Sequence, residues 1–384
     1  MAEVNGSEAE RLRVLYDFVI FRMERRGGIS RYVAELARRL AGVDGVETTI
    51  FAGLHDNDFV ADRQFTRGVR LIGRRSRSRV ARSSLGGGID YAAMRAYQYI
   101  PPRHSIYHPS YYPRAIRCPR GTRLVATVYD MIHERIPEFH RGDPTPSRKR
   151  ALVDAADLIL CISETTARDL TTLYGVDPAR IRVTYLGAGS GEWHARPVPR
   201  LAIGEGRPYV LYVGRRSGYK NFRMLLEAYI ASASLHRATA LVAVGGGEWS
   251  SEEQGILKRA PAEARVIRTD ADEAELQALY AGALALAVPS LYEGFGLPVV
   301  EAMREGCAVV ANATGSLPEI VGDAGLVVPL TDPGVLADHL ERVLGDDVLH
   351  GRLRDAGRAR ASRFDWDSTA AKTLAAYRDV VGAG

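Results

Sequence analysis

Two glutamates eight positions apart, Glu293 and Glu301, are the residues best placed to do chemistry in this sequence. They flank the turn EGFGLPVVE, which follows an apolar run typical of a buried strand and leads into a helical pattern. Pro298 suits the first helical turn, because its missing N–H is not needed there. We therefore expect Glu293 on the loop and Glu301 in that first turn, facing the positive helix end. Two carboxylates at the carboxyl end of a strand suit a hydroxyl-rich ligand. The alternative is that both glutamates only favour the helix start.

Two cations follow the first apolar run of the second half, in YVLYVGRRSGYKNF. Arg215 comes directly after the run, and Lys220 lies five residues later, before a helix that we expect to begin near Asn221. Two cations at a strand end suit a diphosphate and can stabilise its charge as it leaves. Surface charges that merely flank a loop are the alternative.

A second pattern that suits phosphate lies near the other end of the chain. Gly27 and Gly28 come directly before the amphipathic segment ISRYVAELARRL. Glycines let a phosphate approach the backbone, and the free N–H groups at a helix start can bind it. On these residues alone, a plain turn into the helix explains the pattern equally well.

Short apolar runs alternate with helical patterns twice along the chain, which indicates α/β architecture with parallel sheets covered on both faces. Periodicity is weakest, and Pro and Gly are densest, in residues 187–208. The sequence therefore predicts Rossmann-like domains at 1–190 and 207–364, a linker at 191–206 and a C-terminal helix at 365–384. The predicted strands are RVLYDFVIF, TTIFAGL, SIYHPS, RLVATVYD, DLILCIS and RIRVTYLG, then PYVLYVGR, ALVAVGGG, ARVIRT, LALAVPS, CAVVANA and AGLVVPL.

Four segments together resemble glycosyltransferase family four, the retaining GT-B enzymes. They are PSLYEGFGLPVVEAM, YVLYVGRRSGYKNF, GGISRY and TVYDMIHERIPEFH. The resemblance covers nearly the whole chain and implies a GT-B fold, in which two Rossmann-like β/α/β domains face each other across a cleft and the last helix returns to the first domain. It implies retaining transfer of a hexose from a nucleoside-diphosphate sugar, GDP-mannose-like or a UDP-sugar, to a hydroxyl of a saccharide, lipid-linked or natural-product acceptor. No cofactor is implied beyond this co-substrate.

The resemblance also implies roles for individual residues. Glu301 would bind the ribose hydroxyls of the nucleotide, and Glu293 would lie at the transferred sugar. Arg215 and Lys220 would hold the donor pyrophosphate, and Gly28 would contact a donor phosphate. The turn between the glutamates would line the same site through Gly294, Phe295, Gly296 and Leu297.

Three positions depart from the family pattern or match it weakly. Tyr129 stands where the family usually has a histidine that contacts the transferred sugar, so Tyr129 and His133 are candidates for that contact. A core tyrosine and a surface histidine are the alternatives. Arg268 stands where a glycine is common beside the nucleotide base, so the base preference cannot be predicted. The segment Thr314–Ser316 matches a stretch near the donor phosphates or sugar.

Charge is concentrated in residues 63–129, which hold 14 arginines, no lysine, and Asp90 as the only acid. The alternatives are a solvated surface and a surface for an anionic partner, among which a phosphorylated or lipid-linked acceptor at a membrane ranks above nucleic acid. Three cysteines without metal-type spacing indicate a reducing compartment. Without an export signal or a long apolar run, we expect a cytoplasmic protein, at most peripheral to the inner face of an anionic membrane.

Three Asp-x-Asp triplets, at 56–58, 270–272 and 365–367, match the metal-binding pattern of other glycosyltransferases. The pattern is short, and two of the triplets precede helices, where Asp is a natural cap. We therefore expect no metal. Two other functions stay open: a phosphorylase or sugar-nucleotide epimerase on the same fold, and a sugar-nucleotide-binding protein without turnover.

Overall fold

The chain forms two sheets in which every strand pair is parallel, in a computed structural model that describes residues 11–78, 83–189, 203 and 206–382. The first sheet has the strand order β3-β2-β1-β4-β5-β6-β7, and the second has the order β10-β9-β8-β11-β12-β13. The strands are β1 Leu12–Tyr16, β2 Val46–His55, β3 Arg70–Arg75, β4 Ile106–His108, β5 Arg123–Val128, β6 Leu158–Cys161, β7 Ile181–Val183, β8 Tyr209–Val213, β9 Ala240–Val244, β10 Val266–Thr269, β11 Ala285–Val288, β12 Ala308–Asn312 and β13 Leu326–Val328.

Helices follow most of the strands and cover the sheets. Alternate residues of a strand face different cores: Val210 and Tyr212 lie in one buried cluster, while Leu211 lies in another. The helices are α1 Val19–Met23, α2 Gly28–Leu40, α3 Asp58–Ala61, α4 Arg63–Thr66, α5 Ser84–Tyr97, α6 Ile132–Arg135, α7 Thr145–Ala155, α8 Glu164–Tyr174, α9 Phe222–Ala231, α10 Ala233–Ala238, α11 Ser251–Leu257, α12 Glu273–Gly282, α13 Leu297–Arg304, α14 Leu317–Val321, α15 Pro333–Gly345, α16 Asp347–Ala361 and α17 Trp366–Gly382.

Both sheets contain the same reversal of strand order. In the first sheet β1 lies beside β4, and in the second β8 lies beside β11. Strands that follow β1 and β8 in sequence are added on one side of these central pairs, and strands that follow β4 and β11 are added on the other. In parallel sheets of this kind, the crevice beyond the carboxyl ends of such a pair is where ligands bind. The predicted α/β class with two Rossmann-like sheets is confirmed, and the fold directs attention to these two crevices.

Two local predictions were wrong. The run RVLYDFVIF is a strand only as far as Tyr16, and its last residues begin α1. Strand β3 was not predicted, because it is an edge strand with largely exposed, arginine-rich residues that lack an apolar pattern.

The last helix, α17, packs against α2 and reaches the first sheet. The Tyr377 hydroxyl lies 2.5 Å from Nδ1 of His108 and 3.1 Å from the Tyr16 hydroxyl. The predicted linker at 191–206 lies outside the described residues except for 203 and 206, so the domain boundaries stay a prediction. Among the helices described, none has the length and apolar character needed to cross a membrane.

Candidate active site

A cleft of about 480 Å³ separates the two sheets at the carboxyl ends of their strands. The first half contributes the start of α2 and the loop after β5, and the second half contributes the loops after β8, β10 and β11. Of the predicted site residues, the cleft brings together Gly28, Tyr129, Lys220, Glu293, Gly294, Phe295, Gly296, Leu297 and Glu301. Within the described part of the chain, Arg215, His133 and Arg268 do not line it.

Lys220 and Glu293 form an ion pair in the cleft. The Lys220 amine lies 2.7 Å and 3.0 Å from the two carboxylate oxygens of Glu293, which is largely buried. Burial of the amine lowers the Lys220 pKa, but the charge of Glu293 outweighs this effect, so the pKa is raised above its ordinary value. Lys220 is therefore a cation held in a sheltered position, as binding of a diphosphate requires.

The segment Thr314–Ser316 contacts the backbone of Glu293. The Ser316 amide and hydroxyl both donate to the Glu293 carbonyl at 3.0 Å. Gly315 has a positive φ of 55°, and a Cβ there would lie 2.5 Å from the same carbonyl oxygen. These contacts position the Glu293 backbone, and the Ser316 side chain is fully buried.

Glu301 lies in the second turn of α13, so its predicted place in the first turn was wrong. The helix begins at Leu297, because the preceding Gly296 has a left-handed φ of 89°. Arg31 Nη1 lies 3.2 Å from Glu301 Oε1, and the Tyr280 hydroxyl donates to Oε2 at 3.2 Å. Burial raises the pKa of Glu301, and the charge of Arg31 opposes that rise.

Arg31 is a site residue that the sequence did not reveal. It is on α2 in the first half, where it is 7 % exposed, and it forms a second ion pair with Glu273 at 2.9 Å. Its partners are more than 240 positions away along the chain, and its own surroundings, in ISRYV, resemble any amphipathic helix. No local pattern could have identified the pairing.

The turn between the glutamates contacts the first half of the chain. A Cβ on Gly294 would lie 2.2 Å from the Tyr129 carbonyl oxygen, so only glycine fits this approach. The Ser163 hydroxyl donates to the Gly294 carbonyl at 2.8 Å. Phe295 is buried, and Leu297 lies against Gly28 across the cleft. The predicted donor-binding turn is thus also an inter-sheet contact.

The start of α2 is already engaged with a carboxylate. The Ser30 amide donates to Glu24 Oε2 at 3.3 Å, directly beside Gly27 and Gly28. Burial raises the pKa of Glu24, although Ser30 and the charge of Arg215 act in the opposite direction. Glu24, which lines the cleft, was missed because nothing distinguishes it from the other charges in RMERRGG.

The two adjacent arginines after β8 differ in role. Arg215 is exposed beside the cleft, and its charge acts on Glu24. Arg216 is buried, pairs with Glu253 at 2.8 Å, and donates to the carbonyls of Gly247 and Glu248 at 2.8 Å and 2.7 Å. Arg216 therefore holds the glycine loop after β9, whereas Arg215 is available to a ligand.

The structure places the remaining candidates as follows. Tyr129 lines the cleft but is buried, and its hydroxyl donates to the Ser110 carbonyl at 2.8 Å. His133 lies outside the cleft lining, with Nε2 3.4 Å from Asp143 Oδ2. Arg268 pairs with the exposed Glu248 at 2.7 Å.

A helix start in the first half is capped from the second half. Glu319 accepts hydrogen bonds from the amides of Glu164 and Thr165, at 2.7 Å and 2.9 Å, and from the Thr165 hydroxyl at 2.8 Å. A carboxylate is favourable there because it faces the free N–H groups at the start of α8. Together with the Arg31–Glu301 pair, this cap joins the two sheets around the cleft.

The arginine-rich segment divides into paired and pocket-lining residues. Arg75 and Arg77 pair with the acids of the first Asp-x-Asp triplet, while the acid Asp90 accepts from Arg22 at 2.7 Å. Three other arginines of the arginine-rich segment, Arg95, Arg114 and Arg117, line part of a separate pocket of about 390 Å³. Residues 79–82 lie outside the described residues.

The three Asp-x-Asp triplets lie at helix starts. Asn57, Asp272 and Asp365, one from each triplet, accept hydrogen bonds at the starts of α3, α12 and α17.

Comparison with known proteins agrees with this geometry. Residues 198–360 match the family described as glycosyl transferases group 1, and residues 26–188 match glycosyltransferase family 4. The chain is 30% identical to the O-antigen chain mannosyltransferase B of Escherichia coli over 91% of this chain and 96% of that protein. It is 30% identical to the D-inositol 3-phosphate glycosyltransferase of Acidothermus cellulolyticus over 92% and 86%.

Solved structures share the fold at lower identity. Sucrose-phosphate synthase from Thermosynechococcus elongatus superposes with a TM-score of 0.75 at 21% identity, over 97% of this chain and 100% of that chain. The Anabaena protein HepE, in complex with UDP and glucose, has a TM-score of 0.67 at 17% identity, over 95% and 98%. The chain therefore belongs to glycosyltransferase family four, and it is a glycosyltransferase of the GT-B fold.

Proposed function

We propose that this glycosyltransferase transfers a hexose with retention of configuration from a nucleoside-diphosphate sugar to a hydroxyl of a saccharide, lipid-linked or natural-product acceptor, without a metal cofactor. The observation that carries the proposal is the pairing of Lys220 with Glu293 in the inter-sheet cleft, with Glu301 on the helix that follows. We propose a GDP-mannose-like donor or a UDP-sugar, because the chain is similar to a mannosyltransferase and to a protein whose structure contains UDP and glucose.

The charges in the cleft suit a donor diphosphate. Lys220 and Arg215 would hold its phosphates and stabilise the charge that develops as the diphosphate leaves, the task that a divalent metal has elsewhere. Glu301, held by Arg31 and Tyr280, would accept hydrogen bonds from the ribose hydroxyls. Gly28, at the start of α2, would let a phosphate approach the backbone.

Transfer exchanges one bond for another at the anomeric carbon. The acceptor oxygen attacks on the face from which the diphosphate leaves, the bond from carbon to phosphate oxygen breaks, and the acceptor proton passes to the departing phosphate oxygen. Glu293 would contact the sugar, and its pair with Lys220 couples the sugar and phosphate ends of the donor. This route needs no separate general base.

We also propose that the protein is cytoplasmic and contacts the inner face of an anionic membrane. The exposed arginines of α5 and the loop before β5 suit an anionic membrane surface that carries a lipid-linked acceptor. We propose no nucleic-acid partner. A phosphorylase, an epimerase and a binding protein without turnover are the alternatives on the same fold.

A thermal-shift screen against sugar nucleotides, followed by transfer assays, tests the proposal. The true donor should raise the Tm, because it binds only the folded state, and it should then support transfer with retention at a rate that Mg²⁺ or Mn²⁺ changes by less than about twofold. Turnover of a disaccharide with orthophosphate, or interconversion of the free donor, would instead establish one of the alternative activities. Binding without turnover of any donor would overturn the catalytic role.

A further inference from the structure

Three potential metal ligands meet beside the donor cleft, in the segment that follows β5. His133, His140 and Asp143 each offer one ligand atom, and these atoms all lie within 4.8 Å of one another. His133 Nε2 is 3.4 Å from Asp143 Oδ2, and the two imidazole rings lie 4.2 Å apart. Two ligands of one tetrahedral zinc ion, each about 2 Å from it, are separated by about 3.3 Å. The separation of His133 from Asp143 therefore suits a shared ion, and a pair near the 4.8 Å limit would need a side-chain rotation to reach the same ion.

Two imidazole nitrogens of this cluster are buried without a partner. Within the described ranges, neither His133 Nδ1 nor His140 Nε2 has a hydrogen bond, although both atoms are shielded from solvent. His133 Nδ1 faces Asp130, whereas Nε2 of the same ring faces Asp143, so an ion shared with Asp143 accounts for the His140 nitrogen and not for His133 Nδ1. A buried polar atom without a partner is costly, and an ion or water at the site is one of its physical explanations. The chemistry of the cluster favours an ion, because two imidazoles and a carboxylate are the ligand types that zinc binds.

Neighbouring residues hold the ligands in orientation. The Thr145 amide donates to Asp143 Oδ1 at 2.8 Å, which leaves Oδ2 directed to His133. Asp130 Oδ1 lies 4.0 Å from His133 Nδ1, on the side of the ring opposite Asp143. Carboxylates behind metal-binding histidines orient the ring and increase its basicity. Asp143 thus has a supporting hydrogen bond, whereas Asp130 lies beyond hydrogen-bond distance of His133 and can act on its ring only as a nearby charge.

We propose that His133, His140 and Asp143 bind a divalent transition-metal ion of the zinc class. Three protein ligands leave a fourth position for water. Imidazole selects zinc and its neighbours over Mg²⁺ and Ca²⁺, which prefer oxygen ligands. The site is separate from the donor diphosphate, whose charge is met by Lys220 and Arg215 in the proposed function.

The position of the site predicts its effect. Asp130 lines the cleft, and the His140 ring lies 5.8 Å from the ring of Tyr219, which lines the cleft from the second half. An ion would fix the loop between β5 and α7 and hold it against the residue next to Lys220. The ion therefore orders the mouth of the cleft and stabilises the folded chain.

Metal uptake by the full chain tests the proposal. After treatment with a chelator and exchange into buffer, wild type should bind one equivalent of Zn²⁺, and its Tm should rise by about 5 °C at saturating Zn²⁺ but not with Mg²⁺. His140→Gln and Asp143→Asn should each lose at least tenfold in Zn²⁺ affinity and most of the Tm rise. His140 and Asp143 lie partly exposed in a turn, so both variants should fold.

Two controls separate this site from other ligands. His339→Gln, which changes a histidine on α15, and Cys118→Ser, which removes the half-buried thiol, should bind Zn²⁺ as wild type does. Co²⁺ in place of Zn²⁺ should give visible d–d absorption without a thiolate band. Equal Zn²⁺ binding by wild type and the His140 variant, or no saturable binding by wild type, would overturn the proposal.

Discussion

The two crevices of this molecule share a strand order but differ in what their carboxylates do. In the first sheet, Asp17 follows β1 and is buried, and its Oδ1 accepts from Val19 and Ser110 while Oδ2 accepts from the Tyr107 hydroxyl at 3.0 Å. In the second sheet, Glu293 follows β11 and pairs with Lys220 on the cleft lining.

This difference shows that topology provides a crevice, while the local hydrogen bonds decide whether a carboxylate is structural or available. The backbone and hydroxyl donors around Asp17 use both of its oxygens, so it serves to join β1 to β4. Among the described residues, the Glu293 carboxylate pairs with the cation Lys220 on the cleft lining, which a ligand can share. We therefore expect changes in the second crevice to affect transfer, and changes at Asp17 to affect stability.

The largest expected effect is on transfer by Glu293→Gln. The amide keeps the shape of the side chain but removes the charge that faces Lys220 and the sugar, so we expect the transfer rate to fall by about 10² to 10³. The nucleoside diphosphate should still bind, with a Kd within about threefold of wild type. Steady-state transfer and calorimetric titration measure the two quantities.

Glu301→Gln provides the contrast, since we expect it mainly to weaken binding of the nucleotide, by about tenfold. Transfer at the wild-type rate by the Glu293 variant would remove the proposed division of roles between the two glutamates.

The next largest effect is the loss of stability in Arg31→Ala, which removes the ion pair of Arg31 with Glu301 between the two halves of the chain. Glu301 would keep a buried charge without its nearest cation, so we expect a loss of about 3 kcal/mol in the free energy of unfolding at pH 7.5. Urea unfolding measures this loss. Arg38→Ala is the control, because Arg38 lies on the same helix and, within the described residues, its ion pair is with Glu35 of that helix at 3.1 Å.

The loss should depend on pH with a defined sign. The folded pKa of Glu301 is raised above its ordinary value of 4.5, and removal of Arg31 raises it further. The unfolded state therefore releases this proton first, and the variant loses stability as pH rises from 4.5 through the folded pKa. The difference from wild type should shrink towards pH 4.5; a constant difference would show that the charge of Glu301 is not involved.

The smallest effect separates two substitutions of Asp17. Asp17→Ala leaves several buried donors without an acceptor, and we expect it to cost about 2 kcal/mol. Asp17→Asn should cost less than about 1 kcal/mol, because its amide oxygen can accept from Val19 and Ser110 while its nitrogen donates to Tyr107. Donor affinity should not change in either variant. A large loss of donor affinity in either Asp17 variant would show that the carboxylates of both crevices act on the donor.

The site in the second crevice could be predicted because the residues that form it are close together in the sequence. The strand, the turn and the helix that carry Glu293 and Glu301 follow one another, and their glycine and proline positions are local requirements of the backbone. Pro298 lies in the first helical turn as predicted, but the helix begins at Leu297, directly after the left-handed Gly296, so Glu301 is its fifth residue and falls in the second turn.

The first-half contributions could not be predicted for a different reason. Arg31 and Ser163 act through partners that tertiary packing brings to them from more than 130 positions away. Glu24 has a local partner in Ser30, but nothing in sequence distinguishes it from the neighbouring charges. The ligands His133, His140 and Asp143 follow one another at intervals of seven and three, which is not a recognised metal spacing. Only the fold of the loop after β5 brings them together.

The passage of α17 back to the first sheet has a consequence for the construction of chimeric enzymes. Tyr377 completes a buried hydrogen-bonded group with Tyr16 and His108, so the core around the first sheet is built from both the first strand and the last helix. An exchange of halves between relatives should therefore use two junctions and transfer residues 366–382 together with the N-terminal half. A single crossover between the two sheets, in residues 184–208, would combine a first sheet with a foreign final helix and place a mismatch in its interior.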